Sequence, residues 1–116
     1  MSTPTPPDDL APRGSAFWAD VVANYTLRPD ELELLAEACR SLDRLDALRQ
    51  AVTDGGLVVT GPRGSVALHP ALVEERQVRN VLRLTLAQLA LPDAKGDTAA
   101  TRRGREAAEA RWARAS

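Results

Sequence analysis

A mainly α fold is predicted, with two long antiparallel helices and a small β-hairpin between them. Three observations predict it. Apolar residues recur at helical spacing over two stretches, residues 29–53 and 70–90. Between them, residues 54–70 read DGGLVVTGPRGSVALHP, where β-branched residues alternate with turn formers. Each long stretch opens on a proline, Pro29 or Pro70, at a position where a helix needs no N–H. A short N-terminal helix and a flexible, basic C-terminal tail complete the architecture.

The organisation expected is a disordered arm over 1–14, a helical oligomerisation core over 15–91 with its β-hairpin at 57–68, and a linker with a basic, partly helical tail over 92–116. The arm, MSTPTPPDDLAP at its start, is rich in proline, hydroxyl and acid. Ser15 can cap a short helix from Ala16 to Tyr25, in which Phe17, Trp18, Val21 and Val22 give it a packing face. The second helix starts at Leu27-Arg28-Pro29-Asp30-Glu31, with acid at the positive helix end, and runs to about Thr53. Leu35, Ala38, Leu42, Leu45 and Val52 approximate an a/d stripe along it. Leu32, Leu34, Cys39 and Leu48 widen that stripe.

In the hairpin, Asp54-Gly55-Gly56 stops the helix and Leu57 to Thr60 is the first strand. Gly61-Pro62-Arg63-Gly64 turns the chain, and Ser65 to Leu68 returns it. Val66 and Leu68 can share one face, as can Leu57 and Val59. His69 caps the third helix, Pro70 to about Ala90. Its apolar face is marked by Leu72, Val73, Val78, Val81, Leu82, Leu86 and Leu89, while Leu84 falls outside the narrow stripe. Arg76, Arg79 and Arg83 form a basic ridge, read first as a solvated face pairing with the acidic second helix and second as a face that lines an interface or touches phosphate. Pro92 stops the helix, Ala94 to Thr101 is a linker, and the Ala- and Arg-rich end has helical propensity.

Charge divides the chain. Residues 1–54 hold five Arg against ten Asp or Glu, a balance of −5. Residues 55–116 hold ten Lys or Arg against six acids, a balance of +4. Such polarity suits head-to-tail assembly or a basic half that faces DNA. Helices this long in so short a chain cannot be buried from all sides, so self-association is expected. The expected contact residues are Leu35, Leu42, Leu45, Val78, Leu82, Leu86 and Leu89.

The chemistry of a catalyst is missing from the sequence. Cys39 is the only cysteine and His69 the only histidine, so one chain offers neither a disulfide nor a His/Cys zinc set. The glycine-rich hairpin lacks the Lys-Ser/Thr of a phosphate loop. Asp43 and Asp46 lie three apart with no further acid and read as solvated. The expectation is a non-enzyme without catalytic residues, metal or cofactor. With no long apolar run, no membrane association is expected.

Taken in order, LRPDELELLAEACRSLDRLDAL, DGGLVVTGPRGSVALHPALVEER and VRNVLRLTLAQLAL resemble phage terminase small subunits of the P27 type, over about residues 17–91. The carrying features are the Leu27-x-Pro29-Asp30 helix start, Leu42-Asp43-Arg44, Gly55 before the hairpin, the Gly61/Gly64 turn, His69-Pro70 and Arg76. The resemblance implies a DNA-packaging component in the host cytoplasm, phage or prophage encoded. It implies a homo-oligomeric ring of roughly eight or more subunits. The ring would recognise viral double-stranded DNA and recruit or regulate the large ATPase/nuclease subunit. Many such subunits carry an N-terminal helix-turn-helix, for which the segment before Pro29 is too short. DNA contact then falls to Arg102, Arg103, Arg105, Arg111 and Arg114, with Trp112 as an anchor and Arg63 at the hairpin tip. Alternatively the tail binds the large subunit. Two further readings remain: a helical adaptor whose tail docks on another protein, and a small winged regulator with Arg63 at its wing tip.

Overall fold

A computed structural model of the chain describes the backbone of residues 3–93 and 99–115, and the side chains of residues 3–93 and 106–114. The described residues form α1 (Pro12–Asn24), α2 (Pro29–Gly55), β1 (Val58–Thr60), β2 (Val66–Leu68), α3 (Pro70–Leu89) and α4 (Ala99–Ala115). The chain is mainly helical, with a two-stranded antiparallel sheet between its two longest helices. α2 and α3 pack along each other, and α1 packs on α2.

Local chemistry explains the boundaries. At the start of α2 the Arg28 N–H donates to the Glu31 carboxylate at 2.9 Å. Asp30 and Glu31 both sit in the first turn. The helix continues two residues past Thr53 because the positive φ falls on Gly56, at 80°, where glycine stops it. At the start of α3, His69 Nδ1 accepts from the Ala71 N–H at 3.0 Å, as the sequence suggests. That helix ends at Leu89, and Ala90 takes a left-handed φ of 52°. In the hairpin, Val58 pairs with Leu68, Val59 with Ala67 and Thr60 with Val66. At its tip the positive φ values fall on Arg63 (62°) and Gly64 (76°). A non-glycine residue there costs about 1–2 kcal/mol.

Three sequence readings change at the N-terminus. α1 begins at Pro12 rather than after Ser15, and Ala11 at its cap offers no side-chain acceptor. Asp43, from the middle of α2, does the capping instead: its Oδ2 accepts from the Ala11 N–H at 2.7 Å and its Oδ1 from the Gly14 N–H at 2.6 Å. Asp43 is therefore not a solvated acid. Its neighbour Asp46 is engaged too, pairing with Arg13 at 2.9 Å. The arm preceding α1, expected to be disordered, lies against the helices over its described residues. Leu10 packs on the core. The Trp18 indole N–H donates to the Pro4 carbonyl at 3.3 Å. The Arg40 guanidinium pairs with Asp9 at 3.0 Å and holds that carboxyl below its usual range. These ties offset the low hydrophobicity that predicts disorder.

The core gathers where α1 closes the open end of the α2–α3 pair. Trp18, Val21, Leu35, Ala36, Cys39 and Leu89 are its buried members. Phe17, Tyr25, Leu27, Leu32 and Leu91 pack around them. The Tyr25 hydroxyl donates to the Pro92 carbonyl at 2.6 Å and ties the α1–α2 corner to the exit of α3. Ion pairs run across α1, α2 and α3, from Arg13 through Asp46, Arg49 and Glu75 to Arg79. The basic ridge of α3 is thus not a row pairing with acids of α2. Glu75, on α3 itself, bridges Arg79 at 2.6 Å and Arg49 of α2 at 3.3 Å.

Candidate self-association and DNA-facing surfaces

α3 has two usable sides. Toward α2 it presents Ala71, Val78 and Leu89, all buried, with Leu82 half-buried beside them. At 100° per residue, Val73, Asn80 and Leu84 fall on the side away from these, while Gln77, Val81 and Gln88 flank the seam, Gln77 and Val81 beside Ser41 and Arg44 of α2. Each of these α3 residues is exposed and none carries a charge. Val73, Val81 and Leu84 each keep 53% of their surface open. The stripe runs for about 22 Å, from the residue count and the helical rise.

The hairpin adds a second open surface. Hydrogen bonds from the Gly61 N–H to the Ser65 carbonyl and from the His69 N–H to the Leu57 carbonyl fix the alternation of the ladder. Val58, Thr60, Val66 and Leu68 then share one face of the sheet. No helix among the described residues covers that face: Val66 is 69% exposed and Leu68 65%. The residues expected to contact other copies differ in exposure within the single chain. Leu35, Leu45, Val78 and Leu89 are buried within the chain, Leu42 and Leu82 are half-buried, and Leu86 is exposed. A single a/d stripe read from sequence does not separate the α2–α3 seam from the opposite side of α3. The narrowness of that stripe also leaves Leu84 outside the predicted face.

The charged candidates lie at the other end of the chain. Arg111, Trp112 and Arg114 are exposed on α4, with Trp112 at 77%. Arg111 and Arg114, three apart, share a helix face. Arg102, Arg103 and Arg105 belong to α4 by backbone, and their side chains lie outside the described residues. So do residues 94–98 of the expected linker, while α4 starts at Ala99, within it. Arg63 is exposed at the hairpin tip. No helix among the described residues is long and apolar enough to cross a membrane.

Cys39 is a core residue, fully buried between α1 and α2. Burial, followed by the nearby Asp43 charge, pushes its thiol up to about 11 from an ordinary 9.0. The folded protein should resist a thiol-reactive dye at pH 8 and react fully in denaturant. The unfolded thiol ionises first as pH rises, so its contribution to stability is intact below 9.0 and is lost on the way to about 11. Rapid labelling of the native protein at pH 8 would contradict that burial.

No protein-family model, curated protein or solved structure matches the chain.

Proposed function

We propose that this protein is the small subunit of a phage terminase. In this reading it is a non-catalytic, ring-forming packaging component that holds viral double-stranded DNA and recruits or regulates the large ATPase/nuclease subunit. The observation that carries the reading is the pair of open apolar surfaces, on the outer side of α3 and on the hairpin, in a chain whose second half is basic. The exposed arginines of α4 supply a phosphate-facing element.

The test joins mass and DNA affinity. Light scattering on the full chain, alone and with duplex DNA, is expected to give a closed oligomer of roughly eight or more copies. Duplex affinity should fall linearly in log–log form with salt, with a slope of about −0.9 per phosphate contacted. The R111A/R114A pair should flatten that slope by about two such contacts. A protein that stays monomeric with and without DNA, and binds no duplex at low salt, would sink the reading and favour the adaptor.

A further inference from the structure

We propose that neighbouring copies of this chain join head to tail, the apolar hairpin face of one (Val58, Val66, Leu68) seating on the uncharged open stripe of α3 (Val73, Val81, Leu84) in the next. This rests on the reading of the protein as a self-associating one, and it names the contact that reading leaves open.

Three observations point to a second copy as the occupant. The chain carries two open apolar patches of different shape, a flat sheet face and a helix ridge, and a partner that carries both can cover both. The side chains of each patch are themselves uncharged: Thr60 completes the sheet face, and Gln77, Asn80 and Gln88 accompany the ridge, with Arg44 and Glu74 beside Gln77 and Val81. Area is the third. Three Leu or Val side chains, each open by 51–69%, expose roughly 300 Å² per patch on the hydrophobic scale that governs burial. The two patches seated together would bury about 600 Å², below the floor for a stable single interface. A lone contact of that size is weak. Because its two sides differ, it repeats, and closing the repeat into a ring gives every copy two contacts at once.

The hairpin gains from being covered. A two-stranded sheet is marginal in water, and packing against a helix is one way to secure it. In this protein that helix belongs to the neighbour.

Cysteine cross-linking tests the geometry, since Cys39 is buried and does not interfere. Val66→Cys and Leu84→Cys are made singly and together, and oxidised as the assembled full-length protein. Neither single variant should cross-link. The double variant, and an equimolar mixture of the two singles, should, with the double variant giving a ladder of multimers. Independently, Leu84→Asp should weaken assembly roughly thirtyfold or more, as truncation of a central contact residue does. Its far-UV circular dichroism should be unchanged, because the side chain does not touch the protomer core.

The outcomes separate. If the unmodified protein is monomeric at all concentrations, the self-association reading fails and the contact fails with it. If the protein assembles but Val66→Cys links to itself, the hairpins meet each other and the head-to-tail contact is wrong. Assembly with no ladder, or with full mass retained by Leu84→Asp, also overturns it.

Discussion

Replacing Leu35 with alanine is expected to lower the unfolding free energy by about 3 kcal/mol, the usual loss for a buried leucine that leaves a cavity. Leu35 is fully buried, in the cluster where α1, α2 and α3 converge. Its neighbours there include Trp18, Val21, Cys39 and Leu89. The indole is anchored by the arm and the cysteine is fixed in the middle of α2, so the space left by the missing atoms cannot close easily. The melting temperature should drop by about 10–20 °C for a domain of this size. The loss should be the same at every protein concentration, because this residue acts within one chain. Leu84→Asp supplies the contrast. It should cost the isolated protomer less than about 0.5 kcal/mol and lower the apparent stability only where copies assemble, so its effect should grow with concentration. Urea denaturation of both variants at two protein concentrations about a hundredfold apart distinguishes them. A concentration-dependent Leu35→Ala would mean that the α1–α2 core is completed by a neighbour.

That contrast shows what a sequence of this kind reveals and what it hides. The stop of α2 and the start of α3 were legible, the first to within two residues, because their causes are local. Gly56 ends α2 through its own φ, Pro70 and His69 start α3 within three residues, and the hairpin follows from its turn. The helical pattern of α3 was legible as well. Its division into a side for α2 and a side left open was not, because Leu82 and Leu84 are both apolar and only the packing partner distinguishes them. Partners distant in sequence were hidden for the same reason. Asp43 reads as one acid among ten in its half of the chain, and nothing near it announces that a helix far earlier in the chain will start against it. Asp9 and Arg40 likewise meet across the fold, so a proline-rich arm whose composition suggests disorder lies on α2. The candidate site was visible in kind, as open apolar surface and a basic tail. Of the expected contact residues, Leu35 and Leu45 are buried in the protomer.

The junction of α1 with α2 carries the second large effect. Asp43→Ala is expected to destabilise the protein by about 2 kcal/mol, since it removes a charged acceptor from two backbone N–H groups at a helix start. Both bonds are short, 2.7 Å from Ala11 and 2.6 Å from Gly14. The cap residue of α1 offers no side-chain hydrogen bond of its own, so water is what replaces the carboxylate. Gly14 is the steric half of the same device. A methyl group there would overlap the Asp43 carboxylate and come within 2.7 Å of the Cys39 carbonyl. The carbonyl belongs to the backbone of α2 and cannot rotate away, so Gly14→Ala must push the two helices apart. A cost of about 2–3 kcal/mol is expected for overpacking at such a site. The two substitutions share one contact, so their effects should not add. Once Asp43→Ala has removed the carboxylate, the added methyl loses one of its two clashes, and the double variant should be less damaged than the sum by about 1 kcal/mol. Asp43→Asn should fall between wild type and Asp43→Ala, keeping one acceptor for one N–H. Thermal melts of the four proteins of the cycle, with Trp18 fluorescence as the probe of this junction, measure these terms directly. Strict additivity would mean that the cap and the close approach are independent, and a neutral Asp43→Ala would mean that α1 does not depend on α2 for its start.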